Sequence, residues 1–148
     1  MYVGRIVAIG RSEERSFAAY RVSSRSFPNR RAEIRGRSIL VSPLNPADLA
    51  RNPYIAYNCI RVGAATAVVA NGTQADMIME RIEDGGKPLD ALAISLVAYG
   101  YERDDLDTPR IAGVVRGQMG WLGIARKEEF RGRQFDLKED AAYMGATY

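Results

Sequence analysis

Two helical patterns follow one another with no strand between them, and this restricts the fold more than any other feature. After Asn71-Gly72, Thr73 stands as an N-cap with Asp76 three residues on, which predicts a helix over Gln74–Glu83 stopped by Gly85-Gly86. Pro88 opens a second helix, a position proline tolerates because its missing N–H is not needed there. Leu89, Leu92, Ala93, Leu96 and Val97 recur at helical spacing and predict one buried stripe, which Gly100 ends. Strand-like segments lie on both sides of this pair. The order points to an α+β fold of antiparallel sheets with helices outside, not to alternating βαβ units around a parallel sheet.

Residues 2–9 are apolar-rich and read as a strand, residues 10–16 as a polar turn and residues 17–23 as a second strand, so the chain is expected to start with a hairpin. Residues 28–36 are charged and expected to be irregular. A short strand over residues 38–42 precedes a loop marked by Pro43, Pro46 and Pro53, then a strand over residues 54–62. Gly63 turns the chain into a strand over Thr66–Ala70. Strands are expected at 110–116, 121–126 and 130–137, and a short tail from residue 139. There is no internal repeat or low-complexity segment, and 148 residues is the length of one domain, 1–148.

The chain contains no histidine. Ser-His-Asp and Cys-His catalysis are excluded, as are histidine-based zinc sites, and the single cysteine, Cys59, cannot make a cysteine-rich one. Proton transfer must use Glu, Asp, Tyr, Lys, Cys or ordered water. Apolar residues make up 47% and charged residues 26%, ordinary for a soluble globular protein. No apolar run approaches the ~20 residues of a membrane helix, and the start lacks the basic-then-apolar pattern of a secretion signal. These observations lead us to expect a cytoplasmic protein. The net charge is +3, and of 21 basic residues only Lys87, Lys127 and Lys138 are lysines. A GC-rich genome explains such arginine usage; so does a phosphate-bearing ligand. No run of five basic residues occurs, so a nucleic-acid-binding tail is not indicated.

The arginines concentrate in Tyr20-Arg21-Val22-Ser23-Ser24-Arg25-Ser26-Phe27-Pro28-Asn29-Arg30. Arginine presents a planar fork of donors that fits phosphate oxygens in pairs, and serine hydroxyls complete such a cradle. In strand phase Arg21, Ser23 and Arg25 share one face, with Arg30 folded back over the Pro28-Asn29 turn. The reading is an anion site; the alternative is the solvated face of an edge strand. Together with Asn52-Pro53-Tyr54-Ile55-Ala56-Tyr57-Asn58-Cys59-Ile60-Arg61, this stretch closely resembles the archaeal-type inosine monophosphate (IMP) cyclohydrolases. Met1-Tyr2-Val3-Gly4-Arg5-Ile6, Tyr101-Glu102-Arg103-Asp104 and Thr108-Pro109-Arg110-Ile111-Ala112 match in the same order, with weaker echoes at Val69-Ala70-Asn71-Gly72 and residues 90–98. The resemblance runs from residue 1 to about residue 124.

The resemblance implies a four-layer αββα sandwich of antiparallel sheets, the N-terminal-nucleophile-hydrolase-like fold, here shortened at its C-terminal end. It implies closure of the purine ring of 5-formamidoimidazole-4-carboxamide ribonucleotide (FAICAR) to IMP with loss of water, with no metal and no cofactor. It also leads us to expect a homo-oligomer, a second subunit covering an open sheet edge. The phosphate then falls to Arg21, Ser23, Arg25 and Arg30. Tyr101 and Glu102 become the proton-transfer candidates, although Asp104, Asp105 and Asp107 beside them favour a solvated loop. Asn58 would hydrogen-bond the carboxamide or a developing oxyanion, or merely cap a strand end. Cys59 would be a contact near the base, a nucleophile, or a small core residue. As neighbours on a strand, Asn58 and Cys59 face opposite sides unless a bulge intervenes. Asn71-Gly72 would aim backbone N–H groups at an anion, or form an ordinary turn. Removal of Met1 would expose Tyr2, so the processed N-terminal nucleophile of amide-hydrolysing relatives is missing. The rival readings are an amide hydrolase of the same fold and a non-catalytic nucleotide- or RNA-binding module.

Overall fold

The structure, a computed structural model, describes residues 4–147. Its strands are β1 (Ile6–Ser12), β2 (Arg15–Arg21), β3 (Arg30–Arg35), β4 (Ser38–Pro43), β5 (Tyr57–Val62), β6 (Thr66–Ala70), β7 (Arg110–Arg116), β8 (Met119–Ala125), β9 (Phe130–Asp136) and β10 (Ala141–Ala146). Helix α1 (Asp48–Arg51) is one turn; α2 (Gln74–Glu83) and α3 (Pro88–Tyr99) are the two long ones. The strands form two antiparallel sheets, one of three strands in the order β10-β1-β2 and one of seven running from β3 through β9. Helix α2 lies on β5 and β6, and α3 on β7, β8 and β9; the small sheet covers the opposite face of the large one.

Strand alternation creates this layering. In β6 and β7, Val68, Ala70, Ala112 and Val114 turn toward Ile78, Met79, Leu92 and Leu96 of the helices. Val69, Ile111 and Val115 turn the other way, against Val7 and Ile9 of β1. Buried on both faces, β7 reads as a continuous apolar run, where a half-exposed strand would alternate.

Both helices begin and end where their punctuation places them, with two corrections. Thr73 makes no side-chain cap. Asp76, its expected partner, instead accepts from Asn58 Nδ2 at 3.1 Å and Arg61 Nη1 at 3.2 Å on β5. The buried stripe of α3 is rotated from the expected one. Ala91, Leu92, Ser95 and Leu96 are buried, whereas Leu89 and Val97 are 38% and 63% exposed. The fit to β8 decides the rotation: Leu92 and Leu96 descend onto Gly123, where any side chain would meet the Leu96 Cδ1 at 2.6 Å.

The opening hairpin is tighter than expected. Strand β1 runs on to Ser12, and a two-residue turn at Glu13 and Glu14 (φ 51° and 61°) leads into β2, as a type I′ connection requires. The expected start of this strand at residues 2 and 3 lies outside the described residues. Residues 30–35, expected to be irregular, are β3, the edge of the large sheet; charged side chains suit an edge because they discourage further pairing. The expected tail is β10, paired with β1 from Ile6↔Ala146 to Gly10↔Ala142. Among the described residues, no helix is long and apolar enough to cross a membrane.

Candidate active site

The segment between β2 and β3 faces the single turns of residues 48–55 and the loop after α3 across a cavity of about 500 Å³. Strand β2 stops at Arg21, so the strand-phase argument does not extend beyond it. Arg21 is exposed and pairs with Ile6 on β1, away from the cavity. Ser23 and Arg25 line the cavity from the following loop. Ser24 Oγ accepts from the Phe27 N–H at 3.1 Å and curls that loop, as serine does in turns. Arg30, the first residue of β3, also lines it; Nε donates to the Phe27 carbonyl and Nη1 to the Ile55 carbonyl, both at 3.0 Å. Two of its donors are thereby fixed before any ligand arrives. Arg51 approaches from α1 and stacks over the Phe27 ring at 5.3 Å.

Glu102 forms part of the wall, 2% exposed. Gly100, at φ 64°, ends α3 in a backbone conformation that side chains disfavour, and the chain turns back there. The Glu102 N–H donates to the Thr108 carbonyl at 2.8 Å, closing the loop between them. Arg5, 8% exposed, meets Glu102 in a bidentate pair, Nη1 to Oε1 at 2.9 Å and Nη2 to Oε2 at 2.7 Å. Burial raises the pKa of the Glu102 carboxyl, and the hydrogen bonds and charge of Arg5 oppose that rise. Neighbouring Asp104 is held by the Thr108 hydroxyl at 2.7 Å and two backbone N–H groups. Tyr101 contributes a carbonyl to Arg110, and its side chain lines no cavity described here.

Asn71 is fully buried and lines neither cavity. Its Nδ2 donates to the Pro109 carbonyl at 2.9 Å, its Oδ1 accepts from the Ile111 N–H at 2.9 Å and from Gln74 Nε2 at 2.8 Å, and its carbonyl accepts from Arg5 at 3.2 Å. It ties α2, β7 and Arg5 together. Strand β5 shifts register against β4 at this point, Ile39 pairing with Ile60 and Leu40 with Asn58, and the two side chains still part. Asn58 points to α2 and Asp76, outside the cavities. Cys59 points between the sheets, 2% exposed among Val41, Tyr57, Tyr20 and Val22, its Sγ donating to the Ile39 carbonyl at 3.4 Å. Burial pushes its thiol up to about 11, which opposes formation of a nucleophilic thiolate.

A second cavity, of about 270 Å³, shares Pro53, Tyr54 and Glu102 with the first and extends to Tyr57, Gly72, Thr73, Tyr99 and Arg110. Tyr57 and Tyr20 join hydroxyls at 2.6 Å; burial raises both phenols, so they are neutral donors and acceptors. Among the described residues no group of three or more acidic or cysteine side chains is placed to hold a metal ion. Local composition does not single out Arg5, Tyr57 or Arg110. A buried arginine is rare without a partner, and its presence in the matching blocks is the signal that would have found them.

Residues 2–148 match a family described as "IMP cyclohydrolase-like protein". An IMP cyclohydrolase of Methanothrix thermoacetophila is 60% identical over 148 residues, all of this chain and 74% of that protein. Those of Methanocella arvoryzae and Methanocaldococcus jannaschii are 49% and 41% identical, again over the whole chain and 74% and 73% of theirs. The chain belongs to the IMP cyclohydrolase-like family.

Proposed function

We propose that the chain carries out the reaction its relatives are named for, closing FAICAR to IMP, with the 5′-phosphate in the arginine-lined cavity and the reacting groups beside Glu102. The observation that carries this is the junction itself: Ser23, Arg25 and Arg30 line the same cavity as the buried Glu102, which also borders the next one. A phosphate at one end and a proton carrier at the other suit a ribonucleotide lying between.

In the reaction the carboxamide nitrogen bonds to the formyl carbon as the C=O π pair moves onto the formyl oxygen. One proton leaves the carboxamide nitrogen and one the formamide nitrogen. Both reach the formyl oxygen, which departs as water as the C–O bond breaks and a C=N bond forms. The step balances without oxidant or reductant. Glu102 is the side chain best placed to carry these protons: each carboxylate oxygen accepts one bond from Arg5 and keeps a second lone pair. Both reacting groups belong to one substrate, so holding them in attack geometry supplies much of the acceleration, up to roughly 7–11 kcal/mol in ideal systems.

The four-layer sandwich is part of the same reading. Helices cover one face of the paired sheets; on the other, Ala8, Ala19 and Met144, the last 69% exposed, form an apolar row suited to a further helical layer. A homo-oligomer is supported by Ile94 and Val97, exposed on α3. The pathway step is cytoplasmic in this reading. Incubation with FAICAR tests the function: IMP should form, and absence of IMP from folded protein would reject it.

A further inference from the structure

The second cavity opens at the start of α2, and its donors outnumber their acceptors. Gly72 and Thr73 line it, and among the described residues nothing accepts a hydrogen bond from either backbone N–H. Thr73 is the residue that caps α2 and Gly72 the one before it, so both N–H groups sit at the helix's positive end. Arg110 lines the same cavity and is 7% exposed. Its Nη1 donates to the carbonyls of Tyr99 at 2.7 Å and Tyr101 at 3.2 Å. Its Nε has no partner, and Nη2 bonds to no acceptor among the described residues. A buried guanidinium with spare donors is costly unless something supplies an acceptor.

The cavity walls state what shape that acceptor has. The Arg110 guanidinium lies 5.7 Å from the Tyr54 ring centre and 5.1 Å from that of Tyr99. Flat aromatic surfaces beside a cluster of donors suit a planar heterocycle bearing an oxygen. The nearby negative charge, Glu102, is already paired with Arg5.

We propose that this cavity receives the carboxamide end of the substrate, its oxygen held by the N–H groups of Gly72 and Thr73 just before α2 and by Arg110. The inference rests on the reading of the first cavity as the phosphate site. It adds a catalytic consequence. As the carboxamide nitrogen gives up its proton and attacks, electron density shifts onto the carboxamide oxygen, so donors fixed there act more strongly in the transition state than in the ground state. In the product the same oxygen is the ring carbonyl of IMP.

Calorimetric titration of the chain with three ligands tests this. The ligands are IMP, purine ribonucleoside 5′-monophosphate, which lacks the ring oxygen, and ribose 5-phosphate, which reports on the phosphate cavity alone. The unaltered chain should bind IMP at least about tenfold tighter than the oxygen-free nucleotide, the discrimination expected of buried donors left unpaired. Thr73→Pro removes one N–H at a residue whose φ of −62° proline adopts unaided. It should lower that ratio about threefold or more and leave ribose 5-phosphate binding unchanged. Arg110→Lys, which keeps the charge and loses the fork, should do the same, and it decides the matter if Thr73→Pro does not fold. A chain that binds ribose 5-phosphate but shows no preference for IMP, or variants with an unaltered ratio, would overturn the assignment of this cavity alone. Failure of all three ligands to bind would overturn the phosphate site and this inference with it.

Discussion

Replacing Glu102 with Gln removes one charge from a pair in which Arg5 is 8% and Glu102 2% exposed. The amide keeps the shape and one acceptor oxygen, but the guanidinium is left buried with no counter-charge. Removing one member of such a pair costs about 3–5 kcal/mol; with one hydrogen bond retained, the lower end applies. For a chain of 148 residues, 3 kcal/mol corresponds to a fall in Tm of roughly 6–12 °C. If Glu102 also carries protons, turnover falls on the order of 10²–10⁴-fold while KM changes little, because substrate binding relies on the arginines of the first cavity. The double replacement R5M/E102L separates the two effects. Well-packed apolar residues replace a buried ion pair at little cost in stability, so this variant should regain much of the lost stability and remain inactive. Thermal unfolding measures the first quantity and conversion of FAICAR, followed by absorbance, the second. An E102Q protein that melts with the unaltered chain and turns over at a comparable rate would refute both parts of the reasoning.

Arg25→Ala and Arg30→Ala should each weaken binding of a nucleoside monophosphate about 10- to 100-fold, the worth of a charge-assisted hydrogen bond; titration with IMP checks this. Asn58→Ala should leave turnover unchanged and cost about 1 kcal/mol of stability, because its amide serves Asp76 and no cavity. Cys59→Ala should remain active and change the alkaline limb of stability. The folded thiol is raised to about 11, above its unfolded value, so the stability this group contributes is complete below the unfolded pKa and is lost as pH rises toward 11. That loss is at most about 3 kcal/mol. The variant lacks it, and denaturant midpoints at pH 8 and 10.5 should diverge less than in the unaltered chain.

Both long helices were legible because their ends are local matters: Pro88 can open a helix, and Gly100 can turn where other residues strain. Their facing was less so. The stripe Leu89-Leu92-Leu96 is apolar whichever way it is turned, and contact with Gly123 selects the buried side. Strand β10 was not legible, since residues 141–146 become a strand by pairing with β1 at the other end of the chain. The same distance explains the site. Ser23, Arg25 and Arg30 are close in sequence and composed like an anion cradle, and they line one cavity. Arg21 looked like their companion until the strand ended beneath it. That Glu102 is paired, while Asp105 and Asp107 are exposed, depends on Arg5, 97 residues away. Local composition holds no trace of that partnership. The alternation at Asn58 and Cys59 was readable, but which face meets a cavity depends on where the small sheet and α2 come to rest.

The most direct measurement is an experimental structure of the chain with IMP. The account expects the phosphate within hydrogen-bond distance of Arg25 or Arg30, and the ring reaching past Glu102 toward the start of α2. A nucleotide bound elsewhere, or a first cavity left vacant at saturating IMP, would contradict it.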